Sequence, residues 1–169
     1  QIGIGFVLDD DVLTLPERLQ KAGWRTGAIL ASAVLSADRG LDQGFEFYDD
    51  DFSEADPSVK QKKWEGMDLK GEKFDRRADD TTNRAIEWLK AHSGEGPFFL
   101  WLHYFDPHQP YRSPLDRLPR FAARPYDAEI AFVDIHLGRL LASIDRLGIR
   151  DRTLIILVSD HGEALGEHG

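Results

Sequence analysis

Apolar positions along the chain switch repeatedly between a helical and a strand period. Leu15, Leu19 and Ala22 fall on one helical face. Thr14 and Glu17 stand where a capping box would satisfy the first free backbone N–H groups. Pro16 lies in the first turn, where a missing donor costs nothing, and Gly23 ends the pattern. Residues 25–32 then read as a short buried strand. A helix, a glycine and a strand in succession form the recurring joint of an α/β fold.

Residues 36–73 are weakly patterned, with a short strand predicted at 45–48 and Asp49-Asp50-Asp51 expected in solvated loop. A second helix is predicted over 77–91, with Asp79 and Asp80 suited to the positive end of its dipole and Ala85, Ile86 and Leu89 as its stripe. Phe98-Phe99-Leu100-Trp101-Leu102 is uninterrupted, as in a central strand covered on both faces. After a Pro/Arg-rich loop, a third helix is predicted over 126–147. Ile130, Val133, Leu137, Leu140, Leu141 and Ile144 repeat at its period, and Gly148 closes it. Residues 153–158 (Thr-Leu-Ile-Ile-Leu-Val) read as another buried strand. The succession predicts a three-layer α/β/α sandwich with a mainly parallel sheet.

Ligands of such sheets bind beyond the carboxyl ends of the strands. Two loops in that position are rich in metal-competent side chains. One carries His103, Asp106 and His108; the other carries Asp160, His161, Glu163, Glu167 and His168. Asp160 and His161 offer the hard oxygen and imidazole nitrogen that suit a divalent cation, and Gly162 permits a sharp turn. A plain turn with an exposed histidine is the alternative, and the preceding apolar run favours the ligand reading. Pro107 and Pro110 bracket His108 and restrict its backbone, so its imidazole is a candidate to bind an anionic oxygen or protonate a leaving group. Asp106 is placed to orient His108 or to bind metal. His103 is equally suited to a buried, hydrogen-bonded role. Asp9-Asp10-Asp11, His92 and His136 are set aside as solvated or surface positions.

Composition narrows the field. The net charge of −9 argues against a nucleic-acid partner, since phosphates are held by clustered Lys and Arg. With no cysteine among the 169 residues, disulfides, thiolate metal sites and Cys nucleophiles are excluded within this stretch. The longest apolar run, residues 97–102, is far shorter than the ~20 residues of a membrane span. The length suits one domain or a piece of a larger one, and Gln1 points to a start within a longer chain.

Several ordered motifs resemble the sulfatases of the alkaline-phosphatase-like superfamily. They are Thr14-Leu15-Pro16-Glu17-Arg18-Leu19 through Ala22-Gly23-Trp24-Arg25-Thr26, then Gly40-Leu41-Asp42-Gln43-Gly44-Phe45. Phe98–Leu102 leading into Asp106-Pro107-His108-Gln109-Pro110-Tyr111 follows. Last comes Ser159-Asp160-His161-Gly162-Glu163-Ala164-Leu165-Gly166-Glu167-His168-Gly169. The resemblance implies hydrolysis of a small-molecule or carbohydrate sulfate ester at a Ca2+-type site, with Mg2+ or Mn2+ as alternatives. It implies that Asp160 and His161 are the late pair of metal ligands, that His108 contacts the sulfate and assists departure of the alcohol, and that His168 lies near the substrate pocket. An extracytoplasmic or periplasmic location is implied in the same way.

The same resemblance places a nucleophile, formylglycine made from Cys or Ser in a C/S-x-P-x-R motif, well upstream of Thr14, with an acidic metal-binding pair earlier still. A substrate-binding lysine is expected shortly after Gly169. None of these is present, so residues 1–169 are expected to be the middle of a catalytic domain, truncated at both ends and inactive alone. Two alternatives stay open. One is a two-metal phosphodiesterase or phosphotransferase of the superfamily, with Asp106 and His108 on the second ion. The other is a non-catalytic module retaining the fold.

Overall fold

Strand β1 (Arg25–Ile29) carries Gly27 and Ala28 at its centre, and these small residues let neighbours approach closely. The computed structural model describes residues 7–52, 63–64, 67–68 and 75–164. β2 (Phe47–Asp49) lies on one side of β1, after two short 3₁₀ turns at Ala33–Leu35 and Ala37–Arg39. A two-residue antiparallel ladder joins β3 (Lys63–Trp64) and β4 (Met67–Asp68). β5 (Phe98–Leu102) lies on the other side of β1, so the main sheet has the order β2-β1-β5. Both its pairings are parallel, and β1 matches β5 from Arg25↔Phe98 to Ile29↔Leu102. A parallel return needs a crossover, and α2 (Ala78–His92) supplies it between β2 and β5.

Alternation along β5 divides its side chains between two faces. Phe98, Leu100 and Leu102 pack against a core of Ile29, Ala85, Trp88, Leu89, Ile144 and Ile149. This core joins the sheet to α2 and to α3 (Pro125–Arg146). Gly27 is necessary here, because a Cβ at that position would lie 2.8 Å from the Trp88 ring. On the other face, Phe45 stacks on Phe99 and Trp101 with ring centroids 5.9 and 6.1 Å apart.

The loop carrying Phe45 is tied to α1 (Leu15–Lys21) through the predicted capping box. The Glu17 carboxylate accepts from Thr14 N at 2.8 Å, and Thr14 Oγ1 donates to Gln43 O at 3.1 Å. Gly44 has φ +81°, and a Cβ there would sit 2.2 Å from Glu17 N, so glycine is required twice over. Contrary to the periodicity, Leu15 and Ala22 are exposed and Pro16 is the buried residue of α1. The helix is held by its capped end rather than by an apolar stripe.

The chain is therefore α/β, with a small three-stranded parallel sheet. Three further expectations are corrected. Asp49 is not in solvated loop but buried at the end of β2, where Arg76 Nη2 donates to its Oδ1 at 2.8 Å and Arg84 Nη1 meets its Oδ2 at 3.1 Å. Arg76 is 2% exposed; it also donates to Asp51 O at 2.6 Å, and its Nε lies 3.3 Å from Asp80. Two arginines compensate the buried carboxylate, which spacing along the chain does not reveal.

His136 is likewise buried rather than on the surface. Its Nδ1 accepts from Arg139 at 2.8 Å and its ring meets Phe132 edge-on at 4.4 Å. Burial, then the charge of Arg139, holds its pKa below the ordinary histidine value. α3 in fact turns Ala128, Glu129, Phe132, His136, Ser143 and Ile144 inward, and leaves Ile130 and Leu141 of the predicted stripe exposed.

Residues 153–158 are not a buried strand. They form no ladder, and Leu154 and Val158 are 84% and 82% exposed. Apolarity shows that the run favours burial, but covering it takes partners on both faces and at least one edge. Among the described residues the run has none of these.

Removing Arg76 tests the buried ion network. Arg76→Ala leaves Asp49 with one exposed-side partner and is expected to destabilise the fold by about 3–5 kcal/mol. Chemical denaturation measures this; a loss below about 1 kcal/mol would show that the network is not a stability determinant.

Candidate active site

The β1–β5 ladder continues past its last pair, because His103 N donates to Ile29 O at 3.0 Å. The imidazole is fixed in turn: its Nδ1 accepts from Ala31 N at 3.3 Å, which assigns the ring proton to Nε2. Burial lowers the pKa of His103, and the charge of Asp160 opposes that shift. His103 is thus the hydrogen-bonded strand-end residue that one sequence reading allowed, and it faces the second loop.

Beyond it, Tyr104 shares a 2.7 Å hydrogen bond with Thr82 of α2. His108 N closes a turn on Phe105 O at 3.1 Å, and the two rings stack at 4.3 Å. His108 Nδ1 lies 2.6 Å from Gln109 O. A carbonyl only accepts, so Nδ1 carries the proton and Nε2 is the ring's proton-exchanging atom.

Asp106 and His108 flank a recess lined also by Asp75, Arg77, Arg112 and Glu129. Asp106 pairs with Glu129, a residue of α3 only 4% exposed. Burial, reinforced by the Glu129 charge and hydrogen bond, pushes the Asp106 carboxyl up to about 7. Two adjacent buried carboxyls cannot both ionise freely, so Asp106 holds its proton up to near neutrality. Glu129 also accepts from Arg112 N, and Arg112 Nη2 donates to Asp75 Oδ2 at 2.9 Å. Burial raises the pKa of Asp75, against the lowering effect of Arg112.

Sequence reasoning missed Asp75, Arg112 and Glu129. Glu129, Phe132 and His136 do recur at helical spacing, and that mixed seam was the available signal.

In the second loop, Ser159 Oγ donates to His161 O at 2.6 Å and His161 N donates to Asp160 Oδ1 at 3.0 Å. His161 Nδ1 donates to Gly162 O at 2.8 Å, leaving Nε2 3.6 Å from Asp160 Oδ2. The Gly162 carbonyl, then the Asp160 charge, raises the His161 pKa. Both side chains are largely exposed. The pair suits a hard divalent ion, because bonds of ~2.3–2.6 Å put adjacent ligand atoms roughly 3.2–3.7 Å apart in octahedral geometry. Two donors alone do not enclose an ion. Among the described residues no group of three or more His, Cys, Asp or Glu is arranged to hold one.

The two loops do converge. Asp160 acts on His103, and Glu163 is within hydrogen-bonding reach of Tyr111. His168 lies outside the described residues.

Comparison with known proteins follows the same motifs. The family model described as Sulfatase matches residues 6–169. Iduronate 2-sulfatase of Homo sapiens is 29% identical over an alignment covering 53% of this chain and 26% of the relative. The multifunctional alkaline phosphatase superfamily protein PehA of Trinickia caryophylli is 30% identical, covering 52% of this chain and 27% of its own length. The chain thus spans about a quarter of the curated relatives it matches. A solved structure of an alkaline phosphatase superfamily protein from Vibrio parahaemolyticus shares the fold, with TM-score 0.55 and 17% identity over 79% of this chain and 32% of that one.

The Asp106–Glu129 pair makes stability depend on pH. The folded chain retains a proton on Asp106 that the unfolded chain releases, so stability falls as pH rises from the ordinary carboxylate range through about 7. Asp106→Asn keeps a donor toward Glu129 without a second charge. It should match the parent near pH 4 and exceed it by up to about 4 kcal/mol at pH 8, at about 1.4 kcal/mol per pK unit. Denaturation midpoints across that range measure it, and parallel curves would show that Asp106 keeps no proton on folding.

Proposed function

The chain belongs to the sulfatase family, and from that premise we propose that it is the middle of a catalytic domain that hydrolyses sulfate esters. Full-length relatives are hydrolases by name. In this reading the complete domain is the three-layer, alkaline-phosphatase-like sandwich, of which residues 1–169 supply the strand-end loops. The observation that carries the proposal is the convergence of the loops bearing His108 and Asp160-His161 at the carboxyl end of β5.

Asp160 Oδ2 and His161 Nε2 would hold a divalent cation, Ca2+ in the first instance and Mg2+ or Mn2+ as alternatives. Such an ion, when bound, stabilises negative charge on sulfate oxygens. The Nδ1–H of His161 on the Gly162 carbonyl keeps the Nε2 lone pair directed toward Asp160. The nucleophile, formylglycine in this reading, and the remaining ligands would come from the longer polypeptide.

His108 is assigned the proton transfer. Its Nδ1–H is committed to Gln109 O, so its orientation is set by the main chain and a proton is delivered from Nε2. Phe105 stacked on the ring restricts it further. His168 is assigned to substrate contact on the family likeness alone. We assign Asp106 to positioning the loop against α3 rather than to a second metal ion. A carboxyl that holds its proton to near neutrality is a poor cation ligand, and this favours the sulfate-ester reading over the two-metal one.

In the full-length polypeptide, His108→Ala should reduce turnover of aryl sulfates by ~10²–10⁴, most for the least acidic phenols. Steady-state rates across phenols of graded pKa measure the dependence. Equal losses for every phenol would confine His108 to binding, and no turnover of any sulfate ester by the parent would overturn the reading.

Asp160→Ala should weaken Ca2+ binding by more than ~10-fold in titration calorimetry, since one of few anionic ligands is lost. Unchanged affinity would remove Asp160 from the metal site.

A further inference from the structure

Glu129 is buried in the second turn of α3, 4% exposed, on the same inward face as Ala128 and Phe132. A carboxyl taken from water is costly unless polar partners replace its hydration. Its partners come from the loop after β5. The backbone N–H of Arg112 donates to Glu129 Oε1, and the Asp106 and Glu129 carboxyls are hydrogen-bonded to each other. His108 lies between these two anchors, two residues past Asp106 and four before Arg112. One side chain of α3 thus grips the loop on both sides of His108.

The grip has supports around it. Ser113 Oγ donates to Ala128 O at 2.8 Å, which ties the loop to the residue preceding Glu129 as well. Arg112 Nη2 donates to Asp75 Oδ2 at 2.9 Å, and Asp75 forms an antiparallel bridge with Ser32 beyond the end of β1. At the near end, Ala31 N donates to His103 Nδ1 at 3.3 Å. The loop is therefore held by the extension of β1 at both ends and by α3 in between. His108 stacks on Phe105 and bonds Gln109 O, both residues of the same loop, so the placement of the loop sets the direction of the ring.

We propose that Glu129 is a positioning residue for proton transfer by His108, holding residues 106–112 against α3 so that His108 Nε2 keeps one direction. The chemistry of His108 rests on the sulfate-ester reading; the grip of Glu129 on the loop does not. Burial and its loop contacts keep Glu129 from acting directly, since a general acid or base must reach the reacting atoms. Packing does not account for it either. Replacing buried ionic groups by apolar side chains of similar volume is often neutral or stabilising, so a carboxyl is not needed to fill the space. What it adds is the two loop contacts. They matter because misplacing a reacting group by about 1 Å can cost ~10²-fold in rate.

Three variants of the full-length polypeptide test the proposal. Glu129→Met keeps the volume and removes the acceptor. Glu129→Gln can still accept from Arg112 N through its amide oxygen and donate to Asp106 through its amide nitrogen. Glu129→Met should lower kcat for aryl sulfates by ~10–10²-fold, with KM changed less than about threefold and the loss greatest for the least acidic phenols. Glu129→Gln should restore most of that rate. Adding Glu129→Met to His108→Ala should cost no further rate, because Glu129 acts through His108.

Hydrogen exchange reads the grip without any ester. The Arg112 amide should be slowed by at least ~10²-fold over its free-peptide rate in the parent and in Glu129→Gln. That protection should be lost in Glu129→Met, with the amides of β1 and β5 unchanged. A fast-exchanging Arg112 amide in the parent, parental turnover in Glu129→Met, or additive losses in the double variant would each overturn the proposal. The first of these outcomes needs no variant to fold. A parent that hydrolyses no sulfate ester overturns the sulfate reading instead, and exchange at Arg112 still decides whether Glu129 holds the loop.

Discussion

The five-residue parallel ladder between β1 and β5 is the constraint on which the rest of the structure depends. Parallel strands point their carboxyl ends the same way, so whatever follows them gathers at one edge of the sheet. Here the ladder runs one bond past its last pair, from His103 N to Ile29 O, and then Ala31 N meets the His103 ring. The loop that bears His108 therefore leaves the sheet from a residue held by two hydrogen bonds to β1 and its extension. The close approach of Trp88 to Gly27 holds α2 on the same ladder, and α2 in turn holds Tyr104 through Thr82.

Two buried charge arrangements flank this ladder, and they work in opposite ways. At the end of β2, Asp49 lies between Arg76 and Arg84, and opposite charges offset the cost of burying it. Beside α3, Asp106 meets another carboxyl, and the pair relieves its repulsion by keeping a proton. The first is a clamp between sheet and helix. The second couples the His108 loop to α3 through a group that titrates near neutral pH. Arg112, bonded to Asp75 and through its backbone to Glu129, joins the far end of that loop to both α2's approach and α3.

Family membership and loop convergence bear on function at different levels. The family match spans residues 6–169 and speaks for hydrolase chemistry in full-length relatives. The geometry speaks only for arrangement: His161 and Asp160 present adjacent donor atoms, and His108 is oriented by its own main chain. Both side chains of the Asp160–His161 pair are largely exposed.

Local features were legible in the amino-acid order because their causes are local. The capping box of Thr14 and Glu17, the span of α2, the extent of α3 to within a residue, and the strand at Phe98–Leu102 all follow from contacts three or four positions apart or from unbroken apolarity. The loop after β5 was legible too, as chemistry-bearing residues directly after a strand. What lay beyond reach involved partners distant in the chain. Asp49 is buried because Arg76 and Arg84 arrive from 27 and 35 positions away. His136 and Glu129 turn inward because the buried face of α3 mixes polar with apolar residues, and Asp106 finds Glu129, which is distant in the chain. Residues 153–158 carry the apolar signature of a core strand and yet lie exposed. Sequence states how much a segment gains from burial, whereas only the tertiary arrangement supplies the strand or helix that buries it, because burial is a property of two surfaces and the sequence of a segment describes one.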